Sequence, residues 1–133
     1  MSKDRSLLLL AHGHTWDRRF QISSLAAAAA ASGVRVDVAL FFGALDAWVR
    51  GQWDALDPAP PLDPEALDAV GAPRLAPLLE AAREESPLCL YACSASMRFL
   101  RLSTAQVQAK VDVIAGWQTF SKLALEAGQV VTL

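Results

Sequence analysis

Cysteine is scarce in this sequence, and its scarcity argues against a disulfide-stapled fold. Only Cys89 and Cys93 occur among the 133 residues. If both lie in one strand, their alpha carbons are about 13 Å apart, whereas a disulfide needs roughly 4.4–6.8 Å. We therefore expect two reduced thiols and a cytoplasmic protein.

Basic charge and long apolar runs are also missing. The 12 Lys and Arg residues are outnumbered by 14 Asp and Glu residues, and no basic cluster occurs, which argues against nucleic acid as a partner. No apolar run approaches the roughly 20 residues of a membrane span. The apolar stretch 7–11 is also shorter than the roughly 7–15 residues of a signal-peptide core, so we predict a first strand there.

Phosphate-binding motifs are absent as well. The sequence contains neither Gly-x-Gly-x-x-Gly nor Gly-Lys-Ser/Thr, and we predict no cofactor. Apolar residues, in contrast, are abundant: 53% of the residues are hydrophobic and 20% are charged, which is enough to bury one core. We expect residues 1–133 to form a single domain.

Apolar and amphipathic segments alternate along the whole chain. This alternation is typical of βαβ units and predicts a three-layer α/β/α fold, flavodoxin/Rossmann-like, with a mostly parallel five-stranded sheet in the order 2-1-3-4-5. The proline-rich segment 54–73 is expected to be a loop with at most one helical turn, near 64–70. The predicted strands are 6–12, 34–42, 87–93, 111–116 and 129–133, and the predicted helices are 17–33, 43–53, 74–85, one opening at Ser94, and 117–128.

Residues with useful chemistry fall at the ends of the predicted strands. In open parallel sheets, ligands bind beyond the carboxyl ends of the strands, near the switch in strand order. Here those ends carry His12 and His14, Gly43, Cys93 and Trp117. The carboxyl edge of the sheet is therefore where we place the candidate site.

Cys93 stands where a strand gives way to a helix. The backbone N–H groups of residues 95–97 are expected to face its sulfur, and such surroundings lower the pKa of a thiol. Ser96 occupies the position where a Cys-x-x-Cys redox pair has its second thiol, so an intramolecular disulfide cycle is not available. A lone activated thiol can carry sulfur or act as a nucleophile. A helix cap or a core residue is the other interpretation, and spacing alone does not separate the two.

Cys89 differs from Cys93 in its position along the strand. It lies in mid-strand between Leu88 and Leu90. A free cysteine in such a place behaves as a small apolar residue. We therefore expect Cys89 to be an inert core residue.

The segment YACSASMRFL, followed by VDVIAGWQTFSKLALEAGQVVTL, resembles the DsrE/DsrF-like family, and especially its peroxiredoxin-like DsrE branch. Members of that branch carry a Cys-x-x-Ser-Met segment after a central strand. The first half is also similar, with an alanine-rich helix, Gly-Val and a strand that ends in Phe-Phe. The resemblance implies a cytoplasmic, often oligomeric α/β/α protein of sulfur relay, with sulfur donor and acceptor proteins as partners. Only Cys93 matches the motif, so the resemblance implies a persulfide-carrying role for this residue.

His12 and His14 are the only histidines, and two residues apart they can point the same way. With Cys93 on an adjacent strand they would supply three ligands of a zinc or copper site. In a second interpretation, His12 is a satisfied residue at the sheet edge and His14 lies in a solvated loop. In a third, one imidazole hydrogen-bonds the thiol and helps to keep it ionised. No fourth protein ligand is evident, and we predict no metal.

Further residues near the edge are candidates for binding or for supporting the thiol. An arginine can attract an anionic sulfur donor, and a tryptophan can shield a thiol from water. These candidates are Gly43, Ser94, Ser96, Arg98 and Trp117.

Trp48 and Trp53 flank the start of the proline-rich segment. An apolar helix beside such a loop would expose both indoles, so we expect them in an interface between subunits. The protein is accordingly predicted to be a homo-oligomer.

Two functions remain open. The first is a sulfur-relay protein, a sulfurtransferase or sulfur carrier, in which Cys93 passes a persulfide sulfur to a partner. The second is a non-catalytic subunit of an oligomer, a scaffold or a binder of a small ligand or metal, that uses the edge formed by His12, His14 and Cys93. Only the first requires a reactive Cys93.

Overall fold

The computed structural model describes residues 5–58 and 62–133. Residues 1–4, and residues 59–61 of the predicted proline-rich loop, lie outside this part of the chain. None of the helices described has the length and apolar character needed to cross a membrane. In chain order the elements are β1 (Ser6–Ala11), α1 (Trp16–Ala31), β2 (Arg35–Leu40), α2 (Phe42–Val49), α3 (Pro64–Ala69), α4 (Leu75–Glu85), β3 (Leu88–Cys93), α5 (Ser94–Phe99), α6 (Thr104–Gln108), β4 (Val113–Ala115), α7 (Trp117–Glu126) and β5 (Gln129–Thr132).

The predicted α/β fold is confirmed. Five parallel strands form one sheet with helices on both faces, as expected for a three-layer α/β/α domain. The alanine-rich α1 ends where predicted, because Gly33 adopts a φ of 82° that favours glycine and cannot continue a helix. The loop after α2 contains one short helix, α3, which Pro64 opens at its first position.

The predicted strand order is wrong. The sheet runs β4-β3-β2-β1-β5, so β2 lies between β1 and β3. The physical reason is that α4 packs beside α1 on the same face of the sheet. With both crossover helices on one face, right-handed connections carry each new strand further in one direction from β1 to β4. Among the helices described, α7 alone returns across the other face, and it brings β5 to the free side of β1.

The two faces of the sheet bury different residues. One face, which we name the α1 face, packs Leu9, Val38 and Leu90 against α1, α2 and α4–α6. The other, the α7 face, carries a smaller core to which α7 contributes Phe120. Because side chains alternate along a strand, Tyr91 and Cys93 fall on the α7 face while Leu90 falls on the α1 face.

Arg19 of α1 holds the segment that follows α2. Its guanidinium is 3% exposed and donates to the backbone carbonyls of Gln52, Trp53 and Ala55 at 2.6–2.8 Å. An ion pair with Asp57 at 3.4 Å completes the cluster. Burial lowers the pKa of Arg19, and Asp57 opposes that effect. These bonds fix the segment that directly follows α2 against α1.

The prediction that Trp48 and Trp53 lie in a subunit interface is wrong. They are 4% and 1% exposed within the chain's own core, with their rings edge to face at 5.5 Å. Each indole N–H has a partner, the carbonyl of Lys110 for Trp48 and the hydroxyl of Ser23 for Trp53. Both residues therefore stabilise the fold on the α1 face.

Candidate functional site at the carboxyl edge

Cys93 ends β3 on the α7 face. Its Sγ accepts a hydrogen bond from the backbone N–H of Ser96 at 3.4 Å, so Cys93 acts as the N-cap of α5. The residue is 2% exposed and shares its core with Phe41 and Phe120. The thiol is thus held against a backbone donor and shielded from bulk water.

Ser96, whose backbone N–H reaches Cys93, also carries a buried hydroxyl. The residue is fully buried, and its hydroxyl has no hydrogen-bond partner within residues 5–58 and 62–133. A buried hydroxyl without a partner costs about 1–3 kcal/mol. An acceptor atom bound beside Cys93 and reached by this hydroxyl would remove that cost.

The ends of β3 and β4 form the switch point of the fold. Cys93 pairs in register with Ala115 of β4. After β3 the chain enters α5, whose Met97 packs on the α1 face, whereas after β4 it enters α7 on the opposite face. Ligands bind in the crevice where adjacent strands connect to opposite faces. Ser94 also lies at this switch point. Its Oγ is 3.6 Å from the position that a Cβ would take at Gly116, the residue that follows β4.

A cleft opens beyond the ends of β1, β2 and β5. We name it the edge cleft; its volume is about 450 Å³. Aromatic and aliphatic side chains make most of its wall, and two imidazoles and one hydroxyl supply its polar atoms. The lining residues are Leu10, His12, His14, Phe41, Phe42, Gly43, Trp117 and Thr132.

Gly43 is required by the packing of His14. A Cβ at Gly43 would stand 2.5 Å from the Cβ of His14, closer than side chains tolerate. Gly13 makes similar room for Arg18, whose Cγ would be 2.7 Å from an added Cβ. The close approach at Gly43 therefore sets the position of His14 in the edge cleft.

An aromatic stack separates the edge cleft from Cys93. The rings of Phe41 and Trp117 stack at 5.1 Å, and Phe41 also meets Phe120 edge to face at 5.2 Å. Phe41 lines the cleft and also belongs to the core of Cys93. Two compartments thus share one aromatic wall, with Cys93 on the buried side.

The histidines and Cys93 do not form one site. β2 lies between β1 and β3, and two strand spacings amount to roughly 10 Å. The expectation that strands one and three are neighbours, which brought His12, His14 and Cys93 together, is therefore wrong. In the described part of the chain no three residues of the His, Cys, Asp and Glu types are placed to hold a metal ion.

A buried polar group occupies the middle of the α7 face. The Tyr91 hydroxyl donates to Oδ1 of Asp37 at 3.1 Å, and both residues are buried. Burial raises the pKa of Asp37, while Arg35, 3.5 Å from its Oδ2, opposes the shift. Burial and the Asp37 carboxylate also raise the pKa of Tyr91.

Cys89 lies beside this polar group. It was predicted to be a core residue, and it is half-buried and packs at the margin of the α7-face core. Both cysteines are free and share β3, as their spacing predicted. Burial raises the pKa of the Cys89 thiol, with smaller contributions from the Asp112 and Asp37 carboxylates. A raised pKa leaves less thiolate at neutral pH.

The predicted site residues divide into three groups. Cys93, Ser94 and Ser96 meet at the switch point, and Arg98 lies exposed on α5. The edge cleft collects the other four, which are His12, His14, Gly43 and Trp117.

Sequence reasoning missed the part played by the two phenylalanines after β2. Phe41 is 5% exposed and forms the shared wall, while Phe42 is 50% exposed with a φ of 43°. A positive φ is rare for a bulky residue and marks a position held by its surroundings. The Phe-Phe-Gly sequence directly after an apolar strand is the signal that could have revealed them.

Comparison of the sequence with protein-family models gives no match, and comparison with curated proteins gives no significant match.

Proposed function

We propose that the protein is a sulfur carrier of the DsrE/DsrF-like kind, in which Cys93 holds a sulfane sulfur as a persulfide. The observation that carries the proposal is the pairing of Cys93 with Ser96 at the switch point. Ser96 donates its backbone N–H to Sγ at 3.4 Å, and its buried hydroxyl has no partner among the described residues. A persulfide would place one more sulfur atom beside Sγ, and that atom is an acceptor for the hydroxyl.

The burial of Cys93 restricts the first sulfur donor. At 2% exposed, the residue is accessible only to a small reagent unless the start of α7 moves. Inorganic polysulfide is a donor of that size. Delivery to the thiol of an acceptor protein requires the edge to open, and Trp117, which is 59% exposed, stacks on Phe41 of the core that contains Cys93.

The proposed step is a sulfur transfer without net oxidation. The Cys93 thiolate attacks a sulfane sulfur of polysulfide, and the new bond joins Sγ to that sulfur. The S–S bond of the donor breaks, and its electron pair leaves with a hydrosulfide or a shorter polysulfide. The thiol proton passes to the solvent. In delivery, an acceptor thiolate attacks the outer sulfur and Cys93 leaves as a thiolate.

Intact-mass spectrometry after polysulfide treatment and desalting tests this proposal. The wild-type protein should gain the mass of one sulfur atom, and cyanide should remove it as thiocyanate. Cys93→Ser should abolish the gain, whereas Cys89→Ser should retain it. A gain that survives in Cys93→Ser, or that is absent from the wild type, would contradict the proposal.

A pair of serine variants tests the role of Ser96. Ser96→Ala removes the buried hydroxyl, whereas Ser94→Ala removes a half-buried hydroxyl next to the same thiol. We expect the bound sulfur to be lost from Ser96→Ala several-fold faster than from the wild type, with little change in Ser94→Ala. Equal rates in the two variants would show that the Ser96 hydroxyl does not stabilise the persulfide.

We further propose that the carrier is a cytoplasmic homo-oligomer that works with sulfur donor and acceptor proteins. Exposed aromatic rings support an interface: Phe42 and Phe99 stack at 6.2 Å and are 50% and 71% exposed. Such clusters mark contact surfaces. Light scattering should give a mass several times 14.3 kDa. A monomer at micromolar concentration would contradict this part of the proposal.

A further inference from the structure

We propose that the edge cleft binds a small planar aromatic acid, with its ring against Trp117 and its acidic group at the two imidazoles. This proposal is independent of sulfur transfer, because Cys93 does not line the cleft. It rests on three properties of the cleft: its apolar wall, its unpaired imidazoles and the packing that holds both in place.

The wall suits a flat apolar ring. Trp117 is 59% exposed yet stacks on the buried Phe41 with an interplanar angle of 22°, so one indole face is fixed and the rest is accessible. Leu10 and Phe42 add apolar surface on either side. A volume of about 450 Å³ falls within the range of small-molecule sites and exceeds that of a two-ring compound.

The polar atoms suit an acidic group. Neither His12 nor His14 makes a side-chain hydrogen bond within the described residues, although the backbone carbonyl of His14 accepts one from Arg19. Among the described residues, no Asp or Glu side chain lines the cleft. Imidazoles donate hydrogen bonds in both charge states and attract anions when protonated.

A metal is a poorer fit than an organic acid. The two imidazoles have no third protein ligand among the described His, Cys, Asp and Glu residues. Zinc sites in proteins take three or four such ligands. The tight contact between Gly43 and His14, and the left-handed φ of Phe42, show that the cleft is held in a defined shape. A preformed apolar cleft with a few polar groups favours one oriented organic ligand.

Isothermal titration calorimetry with 2-naphthoate tests the proposal. The neutral analogue 2-naphthalenemethanol keeps the rings and lacks the acid, while cyclohexanecarboxylate keeps the acid and lacks the flat ring. We expect 2-naphthoate to bind at one site per chain. Each analogue should bind at least about tenfold more weakly than 2-naphthoate. Cys93→Ser should bind 2-naphthoate as the wild type does, which separates this result from the outcome of the persulfide experiment.

Variants assign the binding to the cleft. Trp117→Ala should weaken 2-naphthoate about tenfold, because an aromatic anchor is lost. The matched control is Gln118→Ala, which alters the exposed neighbour of Trp117 outside the cleft. Replacing both His12 and His14 by alanine should weaken 2-naphthoate by a similar factor and leave 2-naphthalenemethanol unchanged.

Three results would overturn the proposal. The first is no binding of 2-naphthoate at millimolar concentration. The second is equal weakening by Trp117→Ala and Gln118→Ala, since the ligand would then lie outside the cleft. The third is a wild-type oligomer that becomes a monomer in Trp117→Ala, with no binding of 2-naphthoate by either protein. A second copy of the chain would then occupy the cleft. Circular dichroism of each variant checks that folding is retained.

Discussion

The two faces of the sheet differ in the residues that they bury. On the α1 face, Leu9, Val38 and Leu90 are fully buried in one continuous apolar core. On the α7 face, β2 presents Asp37 and β3 presents Cys93, beside a smaller apolar core. Neighbouring residues of one strand thus lie in different surroundings. The difference teaches that the larger apolar core lies on the α1 face, while the buried carboxylate and the buried thiol of the sheet lie on the α7 face.

Two adjacent leucines of β1 provide the largest test of this division. Leu9 faces the α1 core and is fully buried, whereas Leu10 lines the edge cleft and is half-buried. Leu9→Ala should lower the free energy of unfolding by about 2–5 kcal/mol, since it leaves a cavity in a packed core. Leu10→Ala should cost less than half as much. Urea denaturation measures both, and equal losses would mean that the two faces contribute alike.

Arg19 tests whether the polar groups on the α1 side are structural. Arg19→Lys keeps the charge but cannot reach the carbonyls of Gln52, Trp53 and Ala55 at once, because an ammonium lacks the guanidinium fork. We expect a loss of about 2–4 kcal/mol in the free energy of unfolding. Arg18→Lys, at an exposed neighbour, should change it by less than about 0.5 kcal/mol. A similar small effect at both positions would refute the structural role.

Asp37 tests how much a buried carboxylate on the α7 face lowers the free energy of unfolding. Burial raises its folded-state pKa above the ordinary value of 3.8, so the folded protein holds the proton more tightly than the unfolded chain does. The stability that Asp37 contributes is therefore complete below that ordinary value and is lost as the pH rises through the folded-state pKa. Asp37→Asn removes this dependence.

The measurement is the free energy of unfolding against pH for wild type and Asp37→Asn. Their difference should move in favour of the variant as the pH rises from about 3 to neutrality. Asp68→Asn, at an exposed position on α3, serves as the control and should show no such trend. A difference that is flat, or that moves the other way, would show that Asp37 is not penalised by burial.

Cys89 provides the smallest and most selective test. In a Cys93→Ser background it is the only thiol, and burial raises its pKa. Iodoacetamide should therefore alkylate it several-fold more slowly at neutral pH in the folded protein than in urea. Mass spectrometry of timed samples gives both rates. Equal rates would place a second reactive thiol on the α7 face.

Local sequence was enough to predict the elements of this fold. The leucine run of β1, the alanines and Gly33 of α1, and the apolar segment of β3 each encode a strand or helix through near neighbours. The strand order could not be predicted in this way. It depends on packing between elements that are distant in sequence, such as α1 beside α4, and no local pattern reports such contacts.

The candidate site was predictable to the same extent. Strand ends directed attention to the carboxyl edge, where His12, His14, Gly43 and Trp117 line one cleft. Joining the histidines to Cys93 failed because it required the wrong strand order. The tryptophan prediction failed for a related reason. The partners of the Trp48 and Trp53 indoles are distant in sequence, so polarity and local context could not show that both rings are buried.

The pairing of β1 with β5 has a consequence for the order in which the protein folds. Leu10 of the first strand lies opposite Thr132 of the last one, and a hydrogen bond from Gly128 to Ser6 spans 122 residues. Contacts of such long range close late, because the entropy of a large loop must be lost before they form. Strands β1 to β4 can pair with one another before β5 joins the free side of β1. The edge cleft, which needs both Leu10 and Thr132, is then completed as one of the last events of folding.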